Sequence, residues 1–251
     1  MSLYDLSGRK AIVTGGTRGL GLSMAEGLLK AGAEVVIIGS SDKVHDVARD
    51  LSASGPCHGV ALDLGDGAAR RTGFDAALGM LGGRLDILVT AAGIQRRHKS
   101  EDFPIGDWQE VIDVNLTSVF DLCQMAGRVM LAQGAGKIVN IASLLSFFGG
   151  FTVPAYAASK GGIMQLTKAL ANEWAGRGVN VNAIAPGYMA TDMNTALLAD
   201  AGRNAEITAR IPAGRWGTGE DMVGPVLFLA SDASNYVHGV TLPVDGGYLG
   251  R

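Results

Sequence analysis

"KAIVTGGTRGLGLSMAEGLLKAG", residues 10–32, is the stretch on which the fold turns. Lys10–Thr14 is a short, apolar, β-branched run and reads as a strand. From about Leu20 to Ala31 the apolar positions recur at helical spacing. Between the two, Gly15, Gly19 and Gly21 give the pattern G-x-x-x-G-x-G. Glycines there permit a tight turn and let backbone approach an anion held at the N-terminus of the next helix. A glycine trio means little by itself in a chain with 37 glycines. Its position, directly after an N-terminal strand and opening a helix, points to a dinucleotide-binding turn.

The same alternation continues to the end of the chain. Apolar runs at 34–38, 58–62, 85–90, 137–142, 179–184 and 240–244 read as strands. Helical patterns fall at about 68–81, 108–133, 155–175 and 221–229, while 187–217 reads as irregular or helical. Strands of this composition alternating with helices imply a sheet buried on both faces. The expected fold class is α/β. It is a single doubly wound, Rossmann-like domain over 1–251, with a mainly parallel seven-stranded sheet and a substrate loop at about 187–217.

Composition narrows the function classes. Hydrophobic residues make up 47% of the 251 and charged residues 18%, which describes a well-cored globular chain. A net charge of −3 gives no electrostatic reason to expect nucleic acid or an anionic membrane as partner. The opening "MSLYDLSGRKAIVTGG" lacks a basic segment followed by a long apolar one, so no signal peptide is expected. No run approaches the roughly 18 apolar residues of a membrane span. Cys57 and Cys123 are too few for a disulfide framework and read as reduced, buried side chains. His45, His58, His98 and His238 show no ligand spacing, so no metal site is expected. A cytoplasmic enzyme or binding protein acting on a small molecule fits these facts.

The cofactor's identity should be decided at the end of the second strand, where an acidic residue would bond the ribose hydroxyls of NAD. Here the chain reads Gly39-Ser40-Ser41, with no carboxylate before Asp42. Small hydroxyl side chains leave room for a 2′-phosphate, and Arg18 in the glycine turn can pair with it. NADP(H) is therefore favoured over NAD(H). The alternative is a solvated Arg18 with NAD bound.

"PAYAASKGG", residues 154–162, places a tyrosine and a lysine four apart, a pair that taken alone reads as a surface coincidence. Its alanines suit a helix, on which Tyr156 and Lys160 share one face. A tyrosine titrating near ~10 is a poor base at neutral pH. An ammonium about 4 Å away, at an effective dielectric of about 20, favours the phenolate by roughly 4 kcal/mol. Burial acts in the opposite direction.

Along the chain come Thr14-Gly15-x-x-x-Gly19-x-Gly21, Asp63, Ala91-Ala92-Gly93, Asn115, Ser143, Tyr156-x-x-x-Lys160, Pro186-Gly187 and Thr191. In that order, and over nearly the whole length, they resemble the short-chain dehydrogenase/reductase family. The resemblance implies an NAD(P)-dependent interconversion of a secondary alcohol and a ketone. Tyr156 would be its general acid/base. Lys160 would supply charge and hold the nicotinamide ribose, and Ser143 would stabilise developing alkoxide charge. Asn115 would anchor a water-mediated proton relay, the alternative being a buried, satisfied asparagine. Cofactor contacts carry over to Gly15, Thr17, Arg18, Gly19, Leu20, Gly21 and Ser40, and to Asp63 and Leu64 beside the adenine. They continue through Ala92, Gly93 and Ile94 to Pro186, Gly187 and Thr191 at the carboxamide. One departure stands out: Thr90-Ala91-Ala92-Gly93 lacks the asparagine usual at that place, which puts local bracing in doubt.

Substrate groups should come from the loops beyond the strand C-termini. "GIQRRHKSEDF", "SLLSFFGGFTVPAY" and "RIPAGRWGTGED" resemble the family's sugar-acid dehydrogenases, as do "ANEWA", "NVNAIAPGYMAT" and "VDGGYLGR". The resemblance implies a deoxy or keto-deoxy sugar acid, such as 2-deoxy-D-gluconate or 2-dehydro-3-deoxy-D-gluconate. Arg96 and Arg97 suit its carboxylate because the guanidinium fork binds both oxygens. Ser143, Ser146, Tyr156 and Tyr188 complete the expected pocket. Trp216 is expected either to pack a loop or an interface, or to lid the substrate. A 3-oxoacyl-[acyl carrier protein] reductase shares the catalytic set and is the alternative enzyme. A nucleotide-sensing protein without turnover is the remaining one. Apolar residues on more than one face of the helices at 108–133 and 155–175 point, with the family resemblance, to a homotetramer.

Overall fold

The computed structural model describes residues 3–251, so the first two residues of the expected 1–251 domain lie outside the described residues. The strands are β1 (Lys10–Thr14), β2 (Glu34–Gly39), β3 (Cys57–Ala61), β4 (Ile87–Thr90), β5 (Gly136–Ile141), β6 (Val179–Pro186) and β7 (Thr241–Val244). They form one sheet in the order β3-β2-β1-β4-β5-β6-β7, and every neighbouring pair is parallel. The expected α/β doubly wound architecture is the one observed.

Alternation along each strand separates two cores. Ile12, Val36, Ile38, Leu88 and Ile138 face one side, while Val13, Val35, Ile37, Val89 and Val139 face the other. Both sets are buried, and each such aliphatic side chain contributes about 1.5–3 kcal/mol on burial. The helices α1 (Gly19–Lys30) and α2 (Lys43–Leu51) cover the second face. The helix α3 (Gly67–Met80) covers the first. Next come α4 (Ile105–Ile112), α5 (Ser118–Gln133) and α6 (Pro154–Trp174), the last two packing with α3 on the first face. Two short helices, α7 (Thr195–Ala199) and α8 (Ala201–Arg210), follow β6, and α9 (Val223–Ala230) completes the second face.

Two features depart from the sequence expectations. The helix expected over 108–133 begins at Ile105 and is interrupted by a π-helical turn, Asp113–Thr117, between α4 and α5. Helix α2 was not anticipated, although Val44, Ala48 and Leu51, its buried residues, sit at helical spacing.

The missing asparagine at the end of β4 is compensated by other groups. Thr90 Oγ1 donates to Asn140 Oδ1 at 2.9 Å, and Asn140 Nδ2 donates to Thr167 Oγ1 at 3.1 Å. The Ala92 N–H donates to Thr14 Oγ1 at 3.2 Å. These bonds tie β4 to β5, α6 and β1, so the bracing persists with different donors. The chain winds outward from β1 through β2 to β3, then returns to β4 on the other side of β1. That reversal opens a crevice at the strand C-termini, where sheets of this kind bind ligands.

Candidate active site

The crevice is a cavity of about 970 Å³ lined from the loops after β1 to β6. Ligand pockets run from about 300 to 1,000 Å³, so this one admits a large ligand together with a small one. At one end lies the glycine turn. A Cβ added at Gly21 would stand 2.2 Å from the Gly15 carbonyl oxygen, and one at Gly15 would stand 2.8 Å from Ala92 backbone. Gly15 also has φ +66°, a conformation that favours glycine. The turn is therefore as tight as the spacing implied. Gly19, Leu20 and Gly21 begin α1 and line the cavity. The first N–H groups of a helix have no intrahelical acceptor and attract anions. This cradle fits the pyrophosphate of a dinucleotide. Thr17, Arg18 and Ser40 line the same end, and Asp63 and Leu64 sit beyond β3. Ala92, Gly93 and Ile94, then Pro186, Gly187 and Thr191, line the way to the other end.

At that other end stand Ser143, Tyr156 and Lys160. Ser143 follows β5, where its Oγ accepts the Leu145 N–H at 3.1 Å and fixes the turn. Pro154 opens α6, so Tyr156 falls in its first turn and Lys160 one turn later. The Lys160 ammonium donates to the Ile141 carbonyl at 2.6 Å and lies 5.7 Å from the centre of the Tyr156 ring. Burial lowers the Lys160 pKa to about 8. Burial also pushes the Tyr156 phenol above its ordinary value, while a hydrogen bond with Ser143 pulls it down. The sequence argument had the ammonium lowering the tyrosine. In the structure the burial of the phenol itself is the largest effect, with the Ser143 hydrogen bond opposing it.

Asn115 is fully buried in the π turn and is absent from the cavity wall. Its Oδ1 accepts the Ile94 N–H at 2.8 Å, and its Nδ2 donates to the Ile94 carbonyl at 2.9 Å and to Ser159 Oγ at 3.3 Å. Its side chain thus clamps the loop that carries Gly93 and Ile94. Ser146 is also absent from the wall. Its hydroxyl donates to the Lys160 carbonyl at 2.6 Å and accepts the Ser143 N–H at 3.3 Å, so it ties the Ser143 turn to α6. Tyr188 stacks edge-on to Trp216 with ring centres 5.4 Å apart. It lines a separate cavity of about 110 Å³ with Arg215 and Asp245. Trp216 itself packs a loop, its indole N–H donating to Asn204 Oδ1 at 2.9 Å and Thr208 Oγ1 at 3.1 Å. Arg96 and Arg97 do line the main cavity.

Sequence reasoning missed His98, Asp107 and Glu110, which all line the cavity, while residues 192–194 of the expected substrate loop also line it. Asp107 and Glu110 lie one turn apart on α4, so helical spacing was a usable signal, but their pairing with the loop was not. Both cysteines are buried and free, with burial raising Cys57 to about 11 and Cys123 to about 12. Among the described residues no group of His, Cys, Asp or Glu is arranged to hold a metal ion.

A family described as enoyl-(acyl carrier protein) reductase matches residues 15–249. The 2-dehydro-3-deoxy-D-gluconate 5-dehydrogenase of Escherichia coli K12 is 46% identical over 252 residues, spanning 100% of this chain and 99% of that protein. The chain belongs to the short-chain dehydrogenase/reductase family. As a short-chain dehydrogenase/reductase it is an NAD(P)-dependent oxidoreductase acting on CH–OH groups. Two solved members of the family superpose over 100% of both chains. One, from Beutenbergia cavernae, is described as a candidate NAD(P)-dependent gluconate 5-dehydrogenase with NADP at low occupancy, at 50% identity and TM-score 0.95. The other, from Agrobacterium tumefaciens, is described as a candidate 2-deoxy-D-gluconate 3-dehydrogenase with NADP bound, at 49% identity and TM-score 0.91.

The titration of Lys160 gives this short-chain dehydrogenase/reductase a testable pH dependence. Its charge is present below about 8 and is lost above it. The Tyr156 proton, held above its ordinary value, stays on through that range. In the direction of ketone reduction, kcat/KM for the reduced dinucleotide reports the free enzyme. It is expected to fall as pH rises through about 8, and Lys160→Met should remove that falling limb. A profile that is flat from roughly pH 7 to 9 in the unaltered enzyme contradicts a role for the lysine's charge.

Proposed function

We propose that this oxidoreductase interconverts a secondary alcohol and a ketone on a deoxy or keto-deoxy sugar acid, such as 2-deoxy-D-gluconate or 2-dehydro-3-deoxy-D-gluconate. The observation that carries the reading is that the loop bearing Arg96 and Arg97 lines the same cavity as Ser143 and Tyr156. A carboxylate receptor and an alcohol-handling pair thus share one space. The family relatives named above, whose names all refer to gluconates, support the same substrate class.

In this reading Tyr156 takes the proton from the alcohol oxygen during oxidation and returns it during reduction. Ser143 donates a hydrogen bond to that oxygen, and the Lys160 ammonium stabilises the phenolate and the ribose of the cofactor. A bound nicotinamide supplies the hydride acceptor or donor. NADP is preferred over NAD, since Arg18 and Ser40 line the end of the cavity where a 2′-phosphate would lie. Asp42 is no part of the cavity wall and instead immediately precedes α2.

Turnover of a panel of aldonates and keto-deoxy sugar acids, assayed with both NADP and NAD, tests the reading. Failure on every sugar acid, with rapid reduction of acetoacetyl thioesters, would replace it with 3-oxoacyl reduction. That second reading has support in the acyl-carrier description of the matching family. Against it, the lining that carries Arg96 and Arg97 also carries Asp107 and Glu110, which an acidic carrier would meet. The assembly we propose is a homotetramer, supported by the family resemblance and by Phe120, which is 45% exposed on α5 while Leu122 and Met125 pack into the chain's own core. Sedimentation equilibrium measures it directly. A cytoplasmic location fits the absence, among the described residues, of any helix long and apolar enough to cross a membrane.

A further inference from the structure

The chain leaves β3 through Leu62, Asp63 and Leu64, which line the cavity on the far side of the glycine turn from Ser143, Tyr156 and Lys160. With the pyrophosphate at the N-terminus of α1 and the nicotinamide beside the tyrosine, the adenine half of a dinucleotide falls on this β2–β3 side. The stretch forms a closed turn. Asp63 Oδ1 accepts the Gly65 N–H at 2.8 Å, and the Asp66 N–H donates to the Asp63 carbonyl at 3.2 Å. The Leu64 side chain packs into the core, and Asp66 caps α3 by accepting the N–H groups of Ala68 and Ala69. Behind the turn lies Arg70, a charged side chain only 8% exposed. Its Nη1 donates to the Leu64 carbonyl at 2.6 Å, and its Nε donates to Asp121 Oδ2 on α5 at 2.8 Å.

An ion pair this buried is a poor source of stability, because taking both charges out of water offsets most of their attraction. Two apolar side chains of similar volume would join α3 to α5 at least as well. They could not donate to the Leu64 carbonyl. The guanidinium does both tasks at once, its planar fork held by Asp121 at one nitrogen and presented to the turn at another. We propose that Arg70, anchored by Asp121, is a positioning residue for the adenine end of the cofactor. It fixes the backbone of the turn at 63–66, so that the Asp63 carboxylate accepts a hydrogen bond from the adenine amino group. The proposal is independent of the sugar-acid reading and rests on the adenine lying against Asp63 and Leu64.

The test compares dissociation constants for NADPH and for its hypoxanthine analogue, in which an oxygen replaces the adenine amino group. Dinucleotide fluorescence reads both in the full-length enzyme, with NADH and its own analogue run beside them. Losing a hydrogen bond to a carboxylate should make the analogue bind about 10-fold more weakly than the parent in wild type. In R70M the two should bind within about twofold of each other, the parent having itself weakened about 10-fold. R70K, which supplies a point charge instead of a fork, should give an intermediate ratio. R70M strands the Asp121 carboxylate and is expected to lower Tm, so the double variant R70M/D121L separates the two roles and stands in should R70M not fold. Its apolar pair should restore Tm but not the donor, and the discrimination should stay lost. A double variant that recovers both Tm and the wild-type ratio shows a mere brace between helices and overturns the proposal, as does an unchanged ratio in R70M. A wild type that binds parent and analogue equally also overturns it, while leaving the sugar-acid reading intact.

Discussion

Tyr156→Phe is expected to lower kcat about a thousand-fold while leaving the dinucleotide dissociation constant within about threefold. The substitution keeps the ring and the packing of α6 but removes the one group placed to exchange a proton with the substrate oxygen. Positioned acid/base groups contribute about 10²–10⁴-fold, and nothing else at this end of the cavity can take over the task. Ser143 is a poor base, and Lys160 is committed to the Ile141 carbonyl. Because burial raises the tyrosine's pKa, the wild-type oxidation rate should climb with pH where Tyr156→Phe stays flat. Steady-state rates in both directions, with binding followed by dinucleotide fluorescence, check both statements. Activity undiminished in the variant would mean that the proton leaves by another route.

The second large effect belongs to the opposite end of the cavity. Gly21→Ala places a methyl group 2.2 Å from the Gly15 carbonyl oxygen and 2.8 Å from its carbon. Backbone cannot rotate away as a flexible side chain can, so the turn must open. Overpacking of this kind costs about 1–3 kcal/mol, and for a domain of this size each kcal/mol lowers Tm by roughly 2–4 °C. The functional loss should be larger than the stability loss, because the displaced backbone belongs to the turn whose shape suits a pyrophosphate. Dinucleotide affinity is expected to fall about 100-fold, as measured by titration calorimetry. Gly79→Ala is the matched control. It lies in α3 with nothing within 4 Å of the added methyl, and is expected to be neutral or stabilising by less than about 1 kcal/mol. Equal effects at the two positions would refute the steric argument.

The strands were legible because a parallel sheet buried on both faces writes itself as unbroken aliphatic runs. Residues 85–90 read as one strand, and β4 begins at Ile87, although the Asp86 N–H still donates to the Lys10 carbonyl and the Asp86 carbonyl accepts the Lys137 N–H, each at 2.8 Å. Helix α2 went unread because only Val44, Ala48 and Leu51 of its nine residues are buried, too short a stripe to stand out. In the site, Ser143, Tyr156 and Lys160 were legible from type and spacing, and the structure brings all three to one cavity. Ser146 and Tyr188, expected beside them, lie off the wall of that cavity in this structure. Hydrogen bonding to the Lys160 carbonyl decides the first and aromatic packing on Trp216 the second. Asp107 and Glu110 were invisible as site residues because their partners come from a loop whose path no periodicity records.

The wide turn at Asp113–Thr117 constrains how the chain can change over generations. A helix advances about 100° per residue, so one residue lost or gained there would swing α5 by that angle relative to α4. Glu110 and Asp107 would then face the post-β4 loop while Leu122 and Cys123 left the core, or the reverse. The length of this segment is thus fixed, and so is Asn115 within it, which clamps the loop of Gly93 and Ile94. Descendants of this protein should therefore tolerate insertions beside Gly82 and Gly83, in the turn before β4, and show almost none between Trp108 and Leu122.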